Sequence, residues 1–233
     1  MKPITITIDG PAGAGKSTTA RRVAEKLGYL YIDTGSMYRA VTLSALRANT
    51  PLDDKSLGEL CRKLNIVLEQ SFDGQRTFVN GEDVTAHLRT QEVTDVVSTV
   101  SACPSVRRHL VQRQREIGLN GGVVMDGRDI GSVVFPNAQV KVFLVADLNE
   151  RTKRRLNDAI EHDHSITENV MRDKITERDR KDSERADSPL IKPDGATEID
   201  TTDLSIDDQV ARVLALVKSY QRTYALIDSI GKF

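Results

Sequence analysis

The sequence predicts an α/β fold: a parallel β-sheet flanked by helices, interrupted by a small antiparallel ribbon and followed by a helical lid. Three observations carry that reading. The chain opens with a βαβ pattern, in which the β-branched run Ile4 to Ile8 is followed by a helical stretch, Ser17 to Leu27, and a second strand, Tyr29 to Ile32. Further on stand two short apolar runs, Val123-Val124-Met125 and Val140 to Val145, each closed by an aspartate, Asp126 and Asp147. Between them and the opening, from Leu64 to Val84, Ile66-Val67-Leu68, Thr77-Phe78-Val79 and an Asn80-Gly81 turn have the turn chemistry of an antiparallel ribbon.

Taken in chain order, each element has its own signal. The first strand is β-branched and stops at Asp9-Gly10; the first helix repeats Ala20, Val23, Ala24 and Leu27 at helical spacing. Helices are expected over Ser36 to Ala48 and Ser56 to Lys63 before the ribbon, and over Thr90 to Val100 and Pro104 to Ile117 after it. The runs at 123–125 and 140–145 are short and predominantly apolar, and read as buried parallel strands. Arg151 to Asp187 holds 10 basic and 10 acidic residues with few large apolar ones, and reads as a mobile, exposed helical lid. A last helix, Asp207 to about Tyr220, places Val210, Val213, Leu214 and Val217 on one face.

Composition excludes several classes of function. The 33 Lys and Arg against 34 Asp and Glu give a net charge of −1, so there is no basic excess to hold nucleic acid nonspecifically. No apolar run approaches the roughly 18 to 20 residues that cross a bilayer. Met1-Lys2-Pro3 runs straight into a strand and leaves no room for a signal peptide, which predicts a cytoplasmic protein with no membrane partner. Cys61 and Cys103 form no C-x-x-C pair, so neither a zinc site nor a disulfide framework is expected. His162 and His164 sit among Glu161, Asp163 and Ser165 and read as part of a solvated loop. No repeat or long heptad pattern is present, and a monomer is expected.

The strongest signal is Gly10-Pro11-Ala12-Gly13-Ala14-Gly15-Lys16-Ser17, followed by Thr18. It fits G-x-x-x-x-G-K-[ST] between a strand and a helix, the context that a phosphate-binding loop of the P-loop NTPase type requires. Glycine at 10, 13 and 15 lets successive backbone N–H groups turn toward a phosphate. The helix start adds free N–H groups and a dipole, Lys16 supplies a mobile charge, and the Ser17 hydroxyl can join a Mg²⁺ shell. The loop is built for a Mg-nucleoside triphosphate; the alternative is a glycine-rich turn that merely connects strand to helix.

Such a loop does not say where the phosphoryl group goes. At Asp33-Thr34-Gly35-Ser36-Met37-Tyr38-Arg39 another glycine turn opens a helix, with a carboxylate, two hydroxyls, a phenol and a guanidinium within seven residues. That is the chemistry of a second ligand site; Ser36 as a helix N-cap and Tyr38 as a packing residue are the alternative. Arg39, Arg107, Arg128, Arg178 and Arg185 offer planar, permanently charged forks suited to phosphate oxygens. Arg128 stands between Asp126 and Asp129 at the carboxyl end of an apolar strand, where ligands bind in open α/β sheets, although a surface salt bridge could use the same residues. Arg178, Asp182 and Arg185 share one helix face at i, i+4 and i+7, a spacing that also suits an ordinary ion-pair ladder.

The loop taken with D-T-G-S-M-Y-R, R-T-Q-E-V (Arg89 to Val93), D-G-R-D-I-G (Asp126 to Gly131), V-V-F-P-N-A (Val133 to Ala138) and E-R-D-R-K-D (Glu177 to Asp182) resembles bacterial cytidylate kinases over essentially the whole chain. The resemblance implies the P-loop nucleoside monophosphate kinase fold: one kinase domain over 1–233, with a core near 1–35, 96–150 and 188–233, a monophosphate-binding insert near 36–95 and a lid near 151–187. It implies transfer of the γ-phosphate of ATP to CMP or dCMP, with Mg²⁺ accompanying the ATP. By the same resemblance Thr34, Tyr38 and Arg39 lie along the monophosphate pocket, Ser98, Arg128 and Asp129 recognise cytosine and its surroundings, and Arg107 helps hold the acceptor phosphate. Arg178, Asp182 and Arg185 would contact the sugar and the phosphates, so that Lys16, Arg128, Arg178 and Arg185 form the charge-neutralising catalytic set and Ser17 the metal contact. The adenine contacts stay unassigned. Two other readings remain open: a P-loop kinase for another small acceptor, and a GTP-binding switch, which would need an N-K-x-D motif although no Asn-Lys pair occurs.

Overall fold

The computed structural model describes residues 3–72, 74–161 and 166–230. His162 and His164, and the first two residues of the expected signal-free start, lie outside them. Along the chain run β1 (Thr5–Asp9), α1 (Lys16–Leu27), β2 (Leu30–Asp33), α2 (Thr34–Arg47), α3 (Asp54–Lys63), β3 (Ile66–Ser71), β4 (Gly74–Val79), β5 (Glu82–Asp83) and α4 (Gln91–Ala102). They continue with α5 (Pro104–Ile117), β6 (Val123–Gly127), β7 (Val140–Val145), α6 (Leu148–Glu161), α7 (Glu168–Glu184), β8 (Thr197–Asp200) and α8 (Ile206–Ile230).

Every residue of β1 and of β6 is buried, including Thr5, Thr7, Asp9 and Asp126, and the two pair in parallel at the centre of the main sheet. The full order is β2-β6-β1-β7-β8, all pairs parallel. Parallel strands carry all their carboxyl ends to one edge, and here that edge holds the loop after β1, the start of α2 after β2 and the turn after β6. On one side Ile6, Ile8 and Leu144 of the sheet pack with Val23 of α1 and Val213 and Val217 of α8. A second cluster gathers Met37 and Val41 of α2, Leu57 of α3, Val93 and Val97 of α4 and Leu110 of α5 under the ribbon residues Ile66 and Val79. The ribbon itself is antiparallel, β3-β4-β5, and its Asn80-Gly81 link has φ 51° and 88°, the two left-handed residues of a hairpin turn.

Three features differ from the sequence expectation. Strand β8 is an edge strand, T-E-I-D, that buries only Ile199, so it carries no apolar run to announce it. A π-helical turn, Ile130–Val134, follows β6 where no element was expected. Helix α2 starts directly at Thr34 with Asp33 as its N-cap, accepting from the Ser36 amide, so Ser36 is not the cap. The segment Arg151 to Asp187 contains two helices, most of whose described residues are exposed; Thr152, Ile175 and Asp182 are buried, Arg151 and Arg154 donate to the Ala12 and Gly13 carbonyls, and Asp182 accepts from Arg128 at the end of β6. Among the described residues no helix is long and apolar enough to cross a membrane.

Candidate active site

The loop after β1 has the geometry its glycines predict. Gly10, Gly13 and Gly15 have φ of 145°, 79° and 88°, values that L side chains disfavour. A Cβ on Gly10 would also fall 2.1 Å from the Leu144 carbonyl oxygen. The carbonyls of four successive residues are held by side chains: Lys16 Nζ donates to Pro11 O at 2.7 Å, Arg151 to Ala12 O at 3.3 Å, Arg154 to Gly13 O at 3.4 Å and Thr201 to Ala14 O at 3.1 Å. In a trans peptide the N–H points opposite the C=O, so the amides of Gly13, Ala14 and Gly15 face away from the side chains that hold the preceding carbonyls. Gly15 then caps α1 and leaves its first N–H groups free.

Ser17 reaches across from α1 to the end of β6, where its hydroxyl donates to Asp126 Oδ2 at 2.9 Å. The Tyr31 phenol donates to Asp126 Oδ1 at 3.0 Å, and Thr34 to the Asp126 carbonyl at 2.7 Å. Burial, with the Asp33 carboxylate adding to it, pushes the Asp126 carboxyl up to about 7. Burial and the Arg128 guanidinium together push the Lys16 ammonium well below its usual range. Asp9, wholly buried at the end of β1, is pushed up to about 6 by burial.

Beside this junction is a cleft of about 100 Å³. It gathers Lys16, Ser17, Thr34, Tyr38 and Arg39 from the first part of the chain with Arg107, Arg128, Asp129, Arg178, Asp182 and Arg185 from the second. Counting Arg89 and Arg155, eight cationic side chains face four carboxylates there, in a chain whose net charge is −1. The crowding is visible in the protonation equilibria: burial and then Arg128 lower Arg178 to about 10, and burial followed by Arg178 lowers Arg39. Arg107 lies on the floor, 5.5 Å over the Tyr38 ring, donating to the Ser101 carbonyl and pairing with Asp129. Arg128 donates to Asp182 at 2.8 Å, while Arg178 and Arg185 stay 3.9 Å from the same carboxylate. Buried N–H groups of Arg178 and Arg185 have no hydrogen-bond partner, which buried polar groups rarely tolerate unless a ligand completes them.

Some expected residues fall elsewhere. Ser98 and Ala12 line a neighbouring cavity of about 440 Å³ between α4 and α7, joined to the cleft through Arg39, Arg89, Arg155 and Arg178. Gly13, Gly15 and Thr18 line a third, on the far side of Lys16 and Ser17. Gly10, Pro11 and Ala14 act as backbone behind the loop's surface. The sequence reading passed over Arg155, Arg151 and Arg154, although R-x-x-R-R just after β7 lies at the same carboxyl edge that singled out Arg128. It also passed over Tyr31 and Asp9, whose roles come only from what they touch.

A phosphate loop facing an arginine-rich cleft is found in several kinase families, and comparison with known proteins decides among them. The sequence profile described as Cytidylate kinase matches residues 6–219. The chain belongs to the cytidylate kinase family. The cytidylate kinase of Bacillus subtilis (strain 168) is 49% identical over 222 residues, covering 95% of this chain and 99% of that one. That of Geobacillus sp. (strain WCH70) is 52% identical over 215 residues, covering 92% and 96%. Among solved structures, an uncharacterized protein from Eubacterium ventriosum superposes with a TM-score of 0.51 at 14% identity over 94% of this chain and 99% of its own, a likeness of fold alone. D-G-R-D at the end of β6, Arg178 of α7 and Arg185 at its C-cap are among the parts of this chain that meet at the cleft.

Proposed function

We propose that this member of the cytidylate kinase family transfers the γ-phosphoryl group of Mg-ATP to the phosphate of CMP or dCMP. The observation that carries it is the cleft itself: a phosphate loop and seven arginines converge on one site with twice as many cations as carboxylates and with guanidinium N–H groups that lack a hydrogen-bond partner. The excess charge suits two phosphate-bearing substrates brought face to face.

Phosphoryl transfer needs alignment and neutralisation more than covalent help. The amides of the loop and Lys16 hold the donor's phosphates, and Arg39, Arg178 and Arg185 hold the acceptor's. The Arg128–Asp182 pair fixes α7 against the end of β6 and keeps the Arg128 fork at the junction between them. Asp129, on the floor beside Arg107, presents a carboxylate suited to the exocyclic amine of cytosine. Mg²⁺ fits the residues present. Ser17 and Asp126 are hard oxygen donors 2.9 Å apart, the donor type that suits a cation held by one or two protein oxygens and by phosphates. When bound, the ion supplies charge neutralisation on the phosphates being exchanged. We propose further that α6 and α7 act as the lid, which excludes water once both substrates are in place.

The test is a coupled assay of ADP formation from Mg-ATP with CMP, dCMP, UMP, AMP, GMP and shikimate offered separately, with Arg128→Ala alongside. Turnover dominated by CMP and dCMP and lost in the variant supports the reading; another dominant acceptor refutes it.

A further inference from the structure

Asp9 stands next to the phosphate loop in sequence, yet its side chain serves the other half of the site. The strand β1 delivers it, fully buried, against β6, where Asp9 pairs in register with Gly127. Beyond Gly127 the chain passes Arg128 and Asp129 and enters the π-helical turn Ile130–Val134. A helical turn begins with amides that have no partner inside it. Here Val133 and Val134 donate back to the Asp129 carbonyl, while the amides of Ile130 and Gly131 donate to Asp9 Oδ1 and Oδ2, at 2.8 and 2.7 Å. One carboxylate on a neighbouring strand thus caps the turn with both its oxygens. Gly131 is matched to this arrangement, since a Cβ there would come 3.2 Å from Asp9 Oδ2 and 2.8 Å from Thr7 Oγ1.

The residues fixed by this cap are Arg128 and Asp129, just ahead of it. Asp129 holds Arg107 and stands 3.6 Å from Arg185, and Arg128 holds Asp182. We infer that Asp9 is a positioning residue for the acceptor side of the site, setting the turn that aims Arg128 and Asp129, and not a residue of the phosphate loop it precedes. Only an aspartate of this reach offers an acceptor to each amide; asparagine offers one acceptor and turns an NH₂ group toward the second N–H.

The inference rests on the acceptor reading proposed above, and the experiment separates the two. Steady-state rates are measured with CMP varied at saturating Mg-ATP and with Mg-ATP varied at saturating CMP, for wild type and Asp9→Asn, with unfolding temperatures recorded for both. The expected result is a rise of about tenfold in the KM for CMP, the cost of one unpaired buried N–H, while the KM for Mg-ATP stays that of wild type. Gly131→Ala presses on the same cap with Asp9 intact, and it should give the same acceptor-selective change should Asp9→Asn not fold. A matching or larger rise in the KM for Mg-ATP would assign Asp9 to the phosphate loop and overturn the inference. A lowered unfolding temperature with both KM values unchanged would reduce the cap to a structural one and overturn it equally. A wild type that does not use CMP would fail the acceptor reading itself and take the inference down with it.

Discussion

The Ser17 hydroxyl donates to Asp126 across 2.9 Å, so the phosphate loop and the end of β6 meet at a single hydrogen bond. Asp126 is otherwise held by neutral donors in a buried setting, and burial is what lifts its carboxyl from 3.8 to about 7. In the unfolded chain it ionises near 3.8, so its contribution to stability is complete below that pH and is lost as pH rises through about 7. Asp126→Asn removes this dependence: in scanning calorimetry of the nucleotide-free protein, the unfolding temperature of wild type should fall more steeply than that of the variant across this window. A cation at the carboxylate favours its ionised form, so stabilisation by Mg-ATP should grow with pH in wild type and largely vanish in the variant. Equal pH slopes would count against Asp126 as the titrating group.

Arg178 and Arg185 carry buried N–H groups with no hydrogen-bond partner, and in the proposed function a substrate phosphate supplies one. Replacing either by methionine, which keeps the stem and removes the charge, should lower kcat/KM for CMP by about 10- to 100-fold, the scale of one or two charge-assisted hydrogen bonds. The arginine-to-lysine variants should recover little, because a single ammonium cannot reproduce the fork. Steady-state kinetics with CMP varied checks both.

In the proposed function, Asp129 is the group that reads cytosine. Asp129→Asn should reduce the preference for CMP over UMP, since the amide donates to the uracil carbonyl where the carboxylate accepts from the cytosine amine. The variant also leaves Arg107 buried without its counter-charge and should be less stable by about 3 kcal/mol or more. The ratio of kcat/KM for the two acceptors is the quantity to measure, because lost stability scales both alike.

Arg154 joins α6 to the loop carbonyl of Gly13 and to the Thr201 carbonyl, at 3.4 and 2.7 Å. Arg154→Met should raise the KM for Mg-ATP and leave that for CMP unchanged, the opposite signature to Asp9→Asn. An equal effect on both substrates would assign Arg154 to lid packing instead.

Much of the architecture was legible because it is written locally. The P-loop fits its motif within one turn, and its positive φ values follow from glycine alone. The apolar runs of β6 and β7 announce buried strands, and Asn80-Gly81 announces its turn. Strand β8 was not legible, because an edge strand with one buried side chain has no periodicity to detect. Asp33 both ends β2 and caps α2, a double role that the spacing of the turn does not show, so Ser36 stands in the sequence as an equally plausible cap.

The sequence by itself determined the parallel sheet, the phosphate loop and the presence of enough arginines for a second anionic substrate. Local periodicity and a contiguous motif are sufficient for those, since each depends on neighbours along the chain. Only the tertiary structure decided that Arg39 of α2, Arg107 of α5, Arg128 after β6 and Arg178 and Arg185 of α7 and its end share one cleft, and that Asp9 accepts from the Ile130 and Gly131 amides beyond β6. An ion-pair ladder and a phosphate site use the same residues at the same spacing. They differ in whether the guanidinium groups find partners once buried, which depends on elements far away in sequence.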